Sequence, residues 1–497
     1  TSNILNLGFG GEGKTMGLAP YGKKSSKIIK YKFNGIKTNF SDFLTRHPHS
    51  DVLNQINENF RCEKIKVKYK KNVKKNFLNK YFSNIAYEVQ DVAEKTFIHL
   101  GRDLYKKTKL KNICLAGGVA LNSVANNKLL TKSKFKDMFV FPACSDAGIP
   151  FGLVLWGYYN FYKGKKKLDF QNAYTGKKYT YKDTKNLLKK INIKYTKTNN
   201  LNIAKYISEG SIVGRFSDRS EYGPRALGNR SILADPRSWK VRDYLNIHVK
   251  HRETFRPFAP AILEEESNKY FNIKYSPFML QVAKVKKYKK IPSVCHVDKT
   301  ARVQTVNFKQ NKDFYDLIKK FKKITGIPCV LNTSFNDAGE PIVESPLDAL
   351  ITFLSTKIDY LILDKITIAK RDVKNTKKLL NTCKKIRQKN IENYRKLSLK
   401  RLIISYSKKE LSKKSKIFNS LAKKEALDKP YHRMKNIVQY VQKCKELSFL
   451  IIGTNDHTNN LIKLFPELLR LSNIVYYEIR ENDVINKRKV RFKLKKI

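Results

Sequence analysis

A short apolar strand that runs into paired glycines and then into a helix leaves a chain few folds. The strand's parallel neighbour can be reached only by a crossover, which the helix supplies. Residues 112–116 read as such a strand, Gly117-Gly118 as its turn, and 119–130 as the helix. The pattern repeats at once, with a strand at 138–141 and then Asp146-Ala-Gly148 opening a helix towards Trp156. Upstream, 83–107 is an amphipathic helix with Ile85, Val89, Val92, Ala93, Phe97 and Leu100 along one face. A polar stretch at 162–182 separates this region from a second α/β unit over about 183–370. Its strands are expected at 212–216, 258–263, 279–285, 303–306, 328–331 and 360–368, and its helices at 203–208, 313–325 and 346–356. Residues 371–440 are lysine-rich, and 447–497 read as one β-α-β unit with its helix at 459–471. The fold class is therefore α/β, in two to four domains for 497 residues.

Charge enters where partners are considered. The chain carries 102 Lys+Arg against 42 Asp+Glu, a formal +60. Of these cations 21 are Arg and 81 are Lys, a lysine drift that reads first as surface composition and second as a nucleic-acid-binding face. Arginine is distributed differently. Nine of the 21 fall between Arg215 and Arg302, beside only ten lysines. A chain that prefers lysine but keeps arginine here needs planar, bidentate recognition of phosphate or carboxylate, or bracing of loops. The seven cysteines are widely spaced with no CxxC, which argues for a reducing, cytoplasmic setting and against structural zinc. The longest apolar runs fall far short of the ~20 residues of a membrane span.

Several constellations could carry chemistry. Gly117-Gly118 lets a nucleotide approach the backbone at a helix start, with Asn122 within reach of a ribose or base; a plain tight turn is the alternative. Asp146 ends the next strand, as an N-cap or as a metal ligand. Gly11-Glu-Gly-Lys14 lacks the spacing of a phosphate loop. Arg215, Arg219, Arg225 and Arg230, then Lys250, Arg252 and Arg256, then Arg302 are the candidate anion-binding cations, and Arg302 and Gln304 are expected on one face of one strand. Asn332, Ser334 and Asn336 follow a strand end, where α/β folds bind ligands. His296 with Asp298 offers an oriented general base. Ser-His-Asp chemistry is not indicated, and electrostatic handling of phosphate esters is.

Longer motifs narrow this further. Gly223-Pro-Arg-Ala-Leu-Gly-Asn-Arg-Ser231, Phe255-Arg-Pro-Phe-Ala-Pro260, Thr300-Ala-Arg-Val-Gln-Thr305 and Leu331-Asn-Thr-Ser-Phe-Asn336 closely resemble the NodU/CmcH O-carbamoyltransferases. Met16-Gly-Leu-Ala-Pro-Tyr-Gly22 and Leu115-Ala-Gly-Gly-Val-Ala-Leu-Asn122 resemble the same family, and the likeness covers about 1–370. It implies the C-terminal half of an actin/Hsp70-like ATPase-fold transfer domain (1–165) and a YrdC-like domain that forms carbamoyl adenylate (180–372). A lysine-rich helical linker (373–446) and an incomplete Rossmann-like unit (447–497) follow. It also implies ATP and carbamoyl phosphate as substrates with Mg2+, and a hydroxyl-bearing glycan or secondary metabolite as acceptor. By the same likeness Arg225, Lys250, Arg256 and Arg302 hold phosphates, Asn332 or Asn336 orients the adenylate, and Arg252 and Ser334 bind substrate or nucleotide. Gly117, Gly118 and Asn122 hold nucleotide, and Asp146 stands where the family binds Fe2+ or another divalent metal. The family's HxxxH pair does not occur in this sequence. Carbamoyl transfer is therefore expected to need a half-domain supplied upstream, or by a homodimer or partner chain. The alternatives are an RNA-binding, tRNA-modification-related YrdC-like protein, and a subunit inactive without that half-domain.

Overall fold

The Lys312–Thr325 helix illustrates how the core is assembled. Phe314, Leu317, Ile318 and Phe321 recur at helical spacing and are all buried, each contributing roughly 1.5–3 kcal/mol by leaving water. Asn311 caps its start by accepting from the Phe314 amide at 3.0 Å. Gly326, in the left-handed conformation, ends it. The Pro346–Ser355 helix begins with proline at its first position and a Ser345/Asp348 capping box.

These helices pack on an eight-stranded mixed sheet in a computed structural model that describes residues 11–24, 32–34, 37–39, 80–160, 163–165, 170, 172–404, 449–454 and 474–479. β1 (Lys32–Asn34) and β2 (Lys37–Asn39) pair antiparallel. β3 (Asn112–Leu115) and β4 (Asp137–Val140) are parallel, joined through a short 3-10 turn and the Ser123–Lys132 helix. The large sheet comprises β5 (Thr196–Lys197), β6 (Val213–Phe216), β7 (Arg230–Ala234), β8 (Ala259–Leu263), β11 (Gln304–Val306), β12 (Cys329–Ser334), β13 (Tyr360–Leu363) and β14 (Ile366–Ala369). Their spatial order is β11-β8-β12-β7-β6-β13-β14-β5. β9 (Val282–Lys284) and β10 (Thr300–Arg302) pair separately. Residues 1–387 form one compact unit, and 388–497 a second. In the second, β15 (Phe449–Thr454) and β16 (Ile474–Ile479) are parallel, while the expected helix at 459–471 lies outside the described residues. None of the described helices is long and apolar enough to cross a membrane.

Four expectations are corrected. Arg302 and Gln304 do not share a strand. The chain leaves the β9–β10 ladder at Arg302 (opposite Val282) and enters the large sheet at Gln304 (opposite Ala261). Val303 is the pivot: it is fully buried, and its carbonyl accepts from Ser276 Oγ at 2.9 Å. The strand expected at 279–285 shortens to β9, because Met279 takes a positive φ of 56°. The strand expected at 360–368 is a hairpin that turns at Asp364, φ 53°. The helix expected over 119–130 begins at Ser123, with a 3-10 turn before it.

Candidate active site

The nine arginines of the window divide into braces and site residues. Arg215 donates to Gly228 O and to Asp313. Arg230 lies 3.6 Å from the Phe216 ring centroid and donates to Ser217 O (2.7 Å), Asn229 O (3.0 Å) and Asp218 O (3.2 Å). Arg237 forks onto Asp235, Arg219 donates to Gly176 O, and Arg242 pairs with Asp243. Glu221 adds to this framework, its Oε1 accepting from the amides of Leu227 and Asn229, both at 2.8 Å. The loop from 217 to 229 is thus nailed at both ends, and its turn presents Arg225. Gly223 and Gly228 are required there: their φ values are +122° and +121°, and a Cβ would strike Pro142 O or the Phe314 ring.

Arg225, Arg252, Arg256 and Arg302 converge on one cavity of about 340 Å³. It is also lined by Asn332, Thr333 and Ser334 from the end of β12 and by Pro257 and Phe258. Arg252 is held by Asn246 Oδ1 at 2.7 Å and lies 4.6 Å from the Phe258 ring centroid. Arg225 Nε and Arg302 Nε are buried without a hydrogen-bond partner. Burial pushes the Arg225 guanidinium down to about 10 and that of Arg252 to about 9, with Arg256 adding repulsion to both. Arg302 is driven well down by burial and then by Arg225, Arg252 and Arg256. Arginine keeps its proton at neutral pH. Crowded cations with unspent donors are a site that wants a multiply charged anion.

The other expected residues take different positions. Lys250 is buried behind the wall, and its Nζ donates to Ser334 O (2.9 Å), Asn336 O (2.6 Å) and Asn336 Oδ1 (2.5 Å). It therefore ties down the 334–336 turn. Burial and then Arg252 and Arg256 push its pKa well below the usual lysine value. Asn332 donates to Ala226 O and to Gln304 Oε1, supporting the Arg225 loop, while its Oδ1 has no partner. Asn336 Nδ2 donates to Glu340 O at 2.6 Å. Asn122 caps the Ser123–Lys132 helix and pairs reciprocally with Gln90. Gly117 and Gly118 are exposed at the end of β3, outside the cavity lining. Asp146 is exposed at a three-residue 3-10 turn, also outside it.

His296 lines the cavity but does not face Asp298 as a base would. Its Nδ1 accepts from the Val297 amide at 2.8 Å, and its Nε2 contacts Gly17 O at 3.1 Å. Asp298 lies 4.0 Å away and accepts from Thr300 instead. With both nitrogens occupied by backbone, His296 is a neutral strut, and burial lowers its pKa accordingly. The opposite cavity wall was not foreseen: Tyr87, Gln90, Asp91 and Glu94 project from the Lys80–Thr108 helix at i, i+3, i+4 and i+7. That spacing was present in the sequence, hidden beside the more conspicuous apolar face. Among the described residues no three His, Cys, Asp or Glu side chains converge as a metal site. Asp146, exposed and alone among the described residues, is not a ligand set for Fe2+ or Mg2+.

Two family signatures match this chain: Carbamoyltransferase N-terminus over residues 6–155 and Carbamoyltransferase C-terminus over 204–370. Nodulation protein NolO of Bradyrhizobium diazoefficiens is 35% identical over 382 residues, covering 75% of this chain and 68% of that protein. An uncharacterized Synechocystis protein is 37% identical over 320 residues, 58% of this chain and 52% of its own. The 3'-hydroxymethylcephem-O-carbamoyltransferase of Streptomyces clavuligerus is 31% identical over 235 residues, covering 47% of this chain and 44% of that enzyme. The chain thus spans between under half and two thirds of the length of these relatives. Both signatures bracket the arginine cavity, and on these matches the chain belongs to the carbamoyltransferase family.

Proposed function

We propose that the arginine cavity activates a carbamoyl group as carbamoyl adenylate for transfer to a hydroxyl of a glycan or secondary metabolite. The observation that carries this is the convergence of Arg225, Arg252, Arg256 and Arg302 on one cavity, with Arg225 Nε and Arg302 Nε unpartnered. Carbamoyl phosphate and ATP are both polyanions, and bringing them together demands such a surplus of positive charge. The balance is carbamoyl phosphate, ATP and one water giving carbamoyl adenylate, phosphate and pyrophosphate. Water first splits carbamoyl phosphate into carbamate and phosphate; a carbamate oxygen then attacks the α-phosphorus, and the bond to the β-phosphate breaks, releasing pyrophosphate. The guanidiniums spread charge over the departing pyrophosphate, and Asn332 Oδ1 offers an acceptor to the carbamoyl amino group. The acceptor hydroxyl then attacks the carbamoyl carbon, and AMP leaves.

In this reading residues 180–372 act as a YrdC-like adenylating module, and 1–165 as part of an actin/Hsp70-like transfer module. Both modules act in a cytoplasm that supplies the two substrates. The full chain should release pyrophosphate when given ATP and carbamoyl phosphate. Arg225→Ala should lower that rate at least about tenfold, the loss of one charge-assisted hydrogen bond. Lys250→Ala should do likewise by releasing the 334–336 turn. Unchanged rates in both variants would remove the assignment.

A further inference from the structure

Glu253 lies beside two members of this cationic group, Arg252 and Arg256, just outside the cavity lining. It is the carboxylate among the described residues that is set against both Arg252 and Arg256. Its Oε2 lies 3.8 Å from Arg256 Nη1, yet is buried without a hydrogen-bond partner. Its Oε1 lies 3.3 Å from Lys14 Nζ, on the Glu12–Leu18 helix. That helix is applied closely to the same loop: Gly17 faces Pro257, Tyr21 meets Phe255 edge-on at 6.5 Å, and Gly17 O holds His296. The loop itself is fixed at its start, where His251 takes a φ of 42° and its Nδ1 lies 2.8 Å from Asp337. A carboxylate at ion-pair distance but short of a hydrogen bond balances charge without occupying the donor. The Arg256 fork is therefore positioned and still available.

We propose that Glu253 is the built-in counter-anion of the cavity. It positions Arg256 against the repulsion of its neighbours, yields it to a phosphate oxygen of the substrate, and leans on Lys14 when it does so. This rests on the anion-binding reading above. It makes Glu253 a positioning residue that sets how strongly the site binds phosphates, and Lys14 its partner from a segment distant in sequence.

The probe is inorganic pyrophosphate, titrated calorimetrically into the full chain. Glu253→Gln keeps the shape and removes the competing charge, so pyrophosphate should bind about three- to tenfold more tightly, as expected for one close charge lost. A gain in affinity is an outcome that a damaged fold would not produce. Lys14→Met leaves Glu253 to Arg252 and Arg256 and should weaken binding about twofold. That effect should vanish in the Glu253→Gln background, since the two substitutions then act through one group. Wild-type binding with no gain in Glu253→Gln, or a Lys14→Met effect that persists without Glu253, overturns the counter-anion role alone. Absence of binding in every protein overturns both this role and the anion site.

Discussion

At the scale of single residues, the distinction that matters is between arginines that spend their donors and arginines that keep them. Arg230 fills three carbonyls of the 217–229 loop, so Arg230→Met leaves buried acceptors unmatched. It should cost about 2–4 kcal/mol in urea unfolding. Arg225 makes no hydrogen bond that the described structure records, and its Nε is an orphan. Arg225→Met should leave the unfolding midpoint unchanged or slightly raised while weakening pyrophosphate binding at least about tenfold. Parallel urea melts and titrations check both, and a large stability loss at Arg225 would contradict its placement. The sequence separated these nine arginines from the lysine background but not from one another. Arg225 and Arg230 sit five positions apart in one motif, and only tertiary contacts to Ser217 and Phe216 tell them apart. Lys250 shows the same limit. A lysine in an arginine motif reads as a phosphate ligand, yet the oxygens of Ser334 and Asn336 claim it as a brace.

At the scale of elements, legibility followed periodicity. The Lys312–Thr325 and Pro346–Ser355 helices declare themselves by apolar spacing and caps, and both were read closely. β7 was missed because its residues, Arg230 to Ala234, overlap a motif that reads as a ligand loop, although all five are buried. The switch at Val303 was also invisible, since alternation continues through it and only the partner strand changes. Two outcomes belong here. Gly228→Ala adds a Cβ 2.3 Å from the Phe314 ring at a φ of +121° and should cost about 2–4 kcal/mol, measured by thermal unfolding. The tie between the Glu12–Leu18 helix and the arginine loop should fail in acid. Burial works to raise the Glu253 pKa, but its own amide, Lys14 and Arg256 outweigh it and hold the pKa below 4.5. A carboxylate depressed in the folded state contributes stability above its unfolded pKa and loses it as pH falls through the folded one. The stability difference between wild type and Glu253→Gln should therefore be constant at neutral pH and shift against wild type below about pH 4.5.

At the scale of the molecule, net charge and surface character tell different stories. The +60 total predicted little, because it is spread as lysine, whereas the small arginine share located the cavity. The feature that composition did not foresee is where apolar surface remains uncovered. The Ile149–Asn160 helix is apolar on every side, a pattern that normally means burial, yet none of its residues is buried. Phe151 anchors it, stacking on Phe141 at 4.7 Å. Val154 is 70% exposed and Ile149 56%, and beyond the helix Val119 and Phe139 are exposed as well. Apolar patches of this kind drive association. In sedimentation experiments the 497-residue chain should self-associate as its concentration rises. A Val154→Lys, Trp156→Glu double variant should stay monomeric at the same concentrations, with its pyrophosphate affinity within about twofold of wild type, because neither residue lines the arginine cavity. A parent chain that shows no concentration dependence would mean that this face is already covered in solution by residues of the chain itself.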